Sequence, residues 1–252
     1  MAAAADVAAA GARDAGGEAR ARSRRHSRAR QRAVSRAESR GYASVVLDVD
    51  STLCGVEGID WLADRKGTDI GVRVAELTDR AMRGEVALDD VYGERLSLVD
   101  PTSDDIDALT DAYVAALAPG VARALGALRE AGRRVVLVSG GVREAIVPMA
   151  KSLGIHANDV HAVSVRFAPD GRYAGHDTSS PLTTAAGKRS IVTSLALPRR
   201  ILAVGDGATD LAMRPAVDAF AAFTGFVRRD AIVNEADLVI DSFDQLIDLV
   251  LA

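Results

Sequence analysis

Hydrophobic positions along the chain follow two rhythms. Short apolar runs occur at 44–49 (SVVLDV), 134–138 (RVVLV) and 201–204 (ILAV), and each passes directly into a polar or glycine-rich turn. Runs of this length and β-branched content predict buried strands. Residues 219–223 and 238–240 are further strand candidates. Between them the spacing becomes helical. Val142, Ala145, Ile146, Met149 and Leu153 form an i, i+3, i+4, i+7, i+11 stripe, and Pro148 inside it predicts a local irregularity. Ile106, Leu109, Tyr113 and Leu117 repeat the period behind an N-terminal signal at Thr102–Ser103. Val74, Leu77 and Ala81 do so earlier, and 191–197 forms another apolar helix. Strands alternating with helices predict an α/β fold: a Rossmann-like parallel sheet with helices on both faces.

The stretch between the first two strands is too long for one crossover. Its helical periods predict a small inserted cap over 59–118, with the α/β core formed by 43–58 and 119–252. Residues 1–42 are a different object. They are Ala, Arg, Gly and Ser with almost nothing large and apolar, and they carry ten arginines against four acids. That is +6 within a chain of net charge −4, which leaves −10 on the remainder. Such a segment cannot bury enough surface to offset its ordering entropy and reads as a disordered tail. It makes a poor signal peptide, because no basic region opens it and Asp6 interrupts its first apolar stretch. Hydrophobic residues make up 48% of the chain but aromatics only 4%, so the core must be aliphatic. A single cysteine, Cys54, excludes a disulfide framework and a cysteine-rich zinc site. Cys54 reads as a small packing residue, and the scattered histidines read as surface residues. No apolar run is long enough for a membrane helix.

Chemistry concentrates where the strands end. In open parallel sheets, sites lie beyond the carboxyl ends of the strands. Here those ends carry Asp48-Val49-Asp50-Ser51-Thr52, Ser139-Gly140-Gly141 and Gly205-Asp206-Gly207-Ala208-Thr209-Asp210, and Gly187-Lys188 adds a lysine. Asp48 and Asp50, two apart, point to one face of an extended chain. Two ionised carboxylates so close repel unless a cation sits with them, and hard oxygen ligands suit Mg²⁺. Asp206 can add a third carboxylate. Lys188 and Ser139 would complete a pocket for a tetrahedral dianion. A carboxylate in such a pocket can attack phosphorus and form an aspartyl-phosphate, with Asp50 as general acid and then base.

These segments, in this order, resemble the four motifs of the haloacid dehalogenase superfamily. Glu57-Gly58-Ile59-Asp60, Arg80-Ala81-Met82-x-Gly84, Glu94-Arg95-Leu96, Gly171-Arg172-Tyr173-Ala174-Gly175 and Asp218-Ala219-Phe220 resemble its phosphoserine phosphatase family. The resemblance spans roughly 44–248. It implies Asp48 as nucleophile and Mg²⁺ ligand, and Asp50 as acid/base with its carbonyl on the metal. It further implies Asp206 as third ligand and Asp210 as support for the metal shell. Ser139, Gly140 and Lys188 would bind phosphate, and Thr209 would contact substrate. Glu57 and Arg95 would hold the amino-acid part. That pair also makes sense without the family: a glutamate for the ammonium and an arginine for the carboxylate select a zwitterion over a sugar phosphate. In one departure, Leu88 stands where the family commonly has Phe, and Tyr92, one helical turn on, could fill the space.

The expected activity is Mg²⁺-dependent hydrolysis of phosphoserine, the final step of serine synthesis, by a cytoplasmic monomer or homodimer with no membrane or nucleic-acid partner. The alternatives are a related phosphatase or phosphotransferase acting on another small phosphomonoester, and a non-catalytic binding protein whose tail contacts nucleic acid.

Overall fold

The computed structural model describes residues 41–252, apart from Arg83, Gly84, Ala87 and the side chains of Asp79, Ala81, Met82, Leu88 and Asp89. The Arg-rich tail, the Met82-x-Gly84 segment and the Leu88 side chain singled out above lie outside the described residues. The strands are β1 (Ser44–Leu47), β2 (Arg134–Val142), β3 (Val160–Val163), β4 (Val165–Phe167), β5 (Tyr173–His176), β6 (Ile201–Gly205), β7 (Ala219–Phe223) and β8 (Leu238–Ile240). Six form one sheet in the order β3-β2-β1-β6-β7-β8, and β4 and β5 form a separate antiparallel pair. Every pairing in the large sheet is parallel. Val45, Val46 and Leu47 in β1, and Leu202, Ala203 and Val204 in β6, have no exposed surface. Continuous apolar runs rather than alternating ones are what strands covered on both faces require.

Between β1 and β2 lie five helices among the described residues, of which the first four are α1 (Gly58–Lys66), α2 (Thr68–Met82), α3 (Leu88–Val99) and α4 (Ser103–Ala115). These four occupy the stretch where the sequence predicts a helical cap. The Thr102 side chain accepts from the Asp105 N–H, and the Asp105 side chain accepts from the Thr102 N–H, so α4 begins with a reciprocal cap. Its buried face is Ile106, Leu109 and Tyr113, the predicted stripe. After α5 (Val121–Glu130) and β2 comes α6 (Arg143–Ser152), on which α4 packs. Then follow α7 (Gly187–Ser194), α8 (Ala208–Leu211), α9 (Asp230–Glu235) and α10 (Phe243–Leu251).

Several details differ from the sequence reading. β2 runs on to Val142, through the Ser139-Gly140-Gly141 segment read as a turn. Helix α6 continues through Pro148. Helix α7 starts at Gly187 and ends at Ser194, so the apolar run 191–197 lies half beyond it. Among the histidines, His176 is half-buried, its ring edge-on to Tyr92 at 5.5 Å, and His161 is half-buried in β3. Both are more than surface residues. Cys54 is fully buried, and burial pushes its thiol pKa up, as a packing residue requires.

Candidate active site

The sheet reverses direction between β1 and β6. From β1 the chain winds outward to β2 and β3, then returns to β6 on the other side of β1 and winds on to β7 and β8. Parallel pairing sets Leu47 opposite Val204. The next residues, at the switch point where such sheets bind their ligands, are therefore Asp48 and the Gly205-Asp206 turn.

Three carboxylates gather there. Asp48, Asp206 and Asp210 are all buried, and one oxygen from each lies within 4.8 Å of the others. Lys188, 6% exposed in the first turn of α7, bridges two of them: its Nζ lies 2.6 Å from Asp48 Oδ1 and 2.7 Å from Asp210 Oδ1. Burial works against the lysine's charge, but Asp210 and Asp48 outweigh it and raise its pKa, so Lys188 stays protonated. Burial and Asp210 together push the Asp48 carboxyl well above the usual carboxylate range despite Lys188. Asp210 Oδ2 accepts from the Gly207 N–H at 3.0 Å, so both its oxygens are engaged. Asp206 Oδ1 accepts from Thr52 Oγ1 at 3.3 Å, and its Oδ2 pairs with Arg229 Nη1.

Asp50 has a separate environment. Its Oδ1 accepts from the Tyr113 hydroxyl at 2.7 Å and its Oδ2 from the Gly58 N–H at 3.4 Å. Burial first and Glu57 second push its pKa up to about 7. Ser51 adopts φ 53°, and its Oγ donates to Glu57 Oε1 at 2.7 Å. Arg229 Nη2 lies 3.8 Å from the same glutamate oxygen. Ser139 is buried in β2, its Oγ accepting from the Gly141 N–H at 2.9 Å, with Gly140 between them. Thr209 is half-buried in α8, next to Asp210. Arg95, on α3, ends in a pair with Asp60: Nη2 to Oδ1, 2.9 Å.

The structure thus unites Asp48, Asp206, Asp210 and Lys188, and sets Asp50 and Glu57 beside them. Arg95 stands in the helical insert, engaged with Asp60 rather than with the carboxylate cluster. Sequence reasoning missed Tyr113 and Arg229. Tyr113 was counted only as an apolar position of α4. A tyrosine in a buried stripe needs a partner for its hydroxyl, and that was the available signal. Arg229 follows β7, one more strand end on the same rim, but arginines there are usually solvated and nothing in its spacing marked it.

Buried carboxylates bridged by a lysine at the switch point of a parallel sheet, behind a helical insert, define a hydrolase-type site for an anionic ester. A family model described as haloacid dehalogenase-like hydrolase matches residues 42–218, and the chain belongs to that family. Phosphoserine phosphatase of Rattus norvegicus is 35% identical over 207 residues, covering 81% of this chain and 91% of the relative. The chloroplastic phosphoserine phosphatase of Arabidopsis thaliana is 36% identical over 214 residues, covering 83% and 72%. Among solved structures, a phosphoserine phosphohydrolase-like protein from Francisella tularensis matches with a TM-score of 0.70 at 24% identity, over 82% of this chain and 99% of that one. That likeness concerns the fold. Among the described residues, no helix is long and apolar enough to cross a membrane.

Proposed function

We propose that the protein hydrolyses O-phospho-L-serine to L-serine and phosphate through an aspartyl-phosphate on Asp48. The observation that carries the chemistry is the buried Lys188 bridge between Asp48 and Asp210 at the switch point. The substrate follows from the relatives' activity and from the Glu57 and Arg95 pair.

In the first half-reaction the Asp48 carboxylate attacks phosphorus. An aspartyl O–P bond forms, the bond from phosphorus to the serine oxygen breaks, and Asp50 delivers its proton to that oxygen. A pKa near 7 keeps Asp50 partly protonated at neutral pH, as this step needs. In the second half-reaction Asp50 takes a proton from water. The water oxygen bonds to phosphorus, the aspartyl O–P bond breaks, and Asp48 returns to a carboxylate. Lys188, Ser139 Oγ and the Gly140 N–H hold the phosphoryl oxygens, fixed donors aimed at accumulating charge. Thr209 borders the same space. Glu57 receives the ammonium and Arg95 the carboxylate of the amino-acid part.

The donor set fits a hard divalent cation. The three carboxylates are buried, Lys188 lies between two of them and Arg229 pairs with the third, and burial together with Asp210 raises the Asp48 pKa, a penalty on its charge that a cation would offset. Asp48, Asp206 and the Asp50 carbonyl would hold Mg²⁺, with Asp210 supporting from behind. When bound, the ion offsets the repulsion between an anionic nucleophile and an anionic ester.

Phosphate release from L-phosphoserine, measured with Mg²⁺ and with EDTA beside a panel of phosphomonoesters, tests the reading. Strong preference for phosphoserine, lost in EDTA, is expected. Asp48→Asn should abolish turnover, because an amide cannot form the acyl-phosphate; retained activity would sink the mechanism.

A further inference from the structure

Two buried polar groups on α3 have no hydrogen-bond partner among the described residues: the Tyr92 hydroxyl and the Arg95 Nε. Residues three apart on a helix share a face. Tyr92 is 7% exposed and the Arg95 side chain 15%. Buried tyrosine hydroxyls and guanidinium N–H groups ordinarily find acceptors, because leaving one unmet is costly. Arg95 Nη2 donates to Asp60, and His176 Nδ1, beside the Tyr92 ring, is already paired with the Tyr173 hydroxyl at 3.2 Å.

The groups acting on the Tyr92 hydroxyl come from several elements. Besides burial, they are Asp50 from the rim of the sheet, Arg95 from its own helix, Tyr173 from β5 and Glu144 from α6. Burial dominates and raises the phenol's pKa, so it remains a neutral donor at working pH. The hydroxyl and the Arg95 Nε are thus two buried, unpartnered donors on one face of α3, with Asp50, Tyr173 and Glu144 acting on the hydroxyl from other elements. A ligand group seated there meets two donors that lack acceptors. Arg95 supplies the positive charge on that face of α3, while Glu57 is held by Ser51 and Arg229.

We infer that Tyr92 is a specificity-determining substrate contact, its hydroxyl donating to the substrate carboxylate that Arg95 also grips. The ligand class is a small phosphomonoester bearing a carboxylate. The inference rests on the proposed reading of the site and extends it to a second donor, which fixes how the amino-acid part is turned: carboxylate toward α3, ammonium toward Glu57.

The test is Tyr92→Phe in the full chain, assayed with L-phosphoserine and with phosphoethanolamine, which lacks only the carboxylate. kcat/KM for phosphoserine should fall at least tenfold, carried by KM, with kcat within about twofold and phosphoethanolamine unaffected. Because the change removes an unmet hydroxyl, the urea midpoint of the unliganded variant should equal or exceed the parent's. An unchanged preference for phosphoserine, or an equal loss on both substrates with a lowered midpoint, would overturn the role of Tyr92 alone. If the parent itself does not favour phosphoserine but favours another carboxylated ester, the phosphoserine reading fails. A selective loss on that ester in the variant would then still support Tyr92. A parent indifferent to the carboxylate would overturn both.

Discussion

At the scale of single residues, the hydrogen bond from Tyr113 to Asp50 ties the proposed acid/base to α4. A fully buried phenol 2.7 Å from Oδ1 fixes the rotation of the carboxyl and so the direction in which its other oxygen presents a proton. Tyr113→Phe should lower kcat/KM for phosphoserine by roughly tenfold, a fraction of the full worth of general acid catalysis. The loss should shrink for an aryl phosphate, whose leaving group needs no proton. Equal losses on alkyl and aryl esters would argue for a packing role only. Asp50 also leaves a mark on stability. Its pKa of about 7 in the folded chain exceeds the ordinary aspartate value of 3.8. Between those values the folded protein holds a proton that the unfolded chain releases. The stability from this group is complete below about pH 4 and is lost as pH rises towards 7. Asp50→Asn removes that dependence. Urea midpoints in EDTA should nearly coincide at low pH and favour the variant at about pH 8. Parallel curves for the two proteins would contradict the raised pKa.

At the scale of elements, the site depends on how a few segments begin. Gly187 opens α7 so close to Pro181 that a β-carbon would run into the Pro181 carbonyl and lie 2.8 Å from Leu182 Cα. Both obstacles are backbone, so a side chain there must displace the turn that delivers Lys188. Gly187→Ala should cost about 1–3 kcal/mol, the range for overpacking, and reduce kcat more than tenfold. Thr102→Ala should cost about 1 kcal/mol through the lost cap of α4 while leaving kcat unchanged, since Tyr113 sits at the far end. Either result is read from denaturation midpoints beside steady-state rates. The elements that sequence alone made legible are those whose pattern had a single physical meaning. Residues 45–47, 201–205 and 219–223 are apolar throughout because they are covered on both faces, and the Thr102 cap has a fixed signature. β3 was missed because Val160-His161-Ala162-Val163 is short and lies at the sheet edge, with only its two valines fully buried. The β4–β5 hairpin, equally short and half-exposed, gave no alternation to read. β2 was cut short because Gly140-Gly141 looks like a turn, although the strand carries it to Val142.

For the whole molecule, Asp48 and Asp206 were legible from order and spacing, since each follows a recognisable strand, but the carboxylate that joins them is Asp210 rather than Asp50, which two-residue spacing alone had set beside Asp48. Tyr113, Arg229 and Tyr92 were not legible, because their roles depend on which helix or loop folds over the rim, and no local pattern encodes that. All of the described site lies within Gly41–Ala252, which forms one compact unit. Removing residues 1–40 should therefore leave kcat/KM for phosphoserine within about twofold, and a larger loss would give the Arg-rich segment a part in turnover. The sheet order has a temporal consequence as well. β1 pairs with β6, and Thr52 bonds to Asp206 across 154 positions of sequence. A growing chain on the ribosome thus holds its proposed nucleophile, Asp48, long before the strand that completes the surrounding charge has been made. The ester-cleaving centre comes into being only after late, sequence-distant pairing, which is slow and leaves apolar strand edges open meanwhile. Newly made protein should gain activity with a lag after synthesis ends, set by the docking of β6 against β1 rather than by the chemistry of the ester.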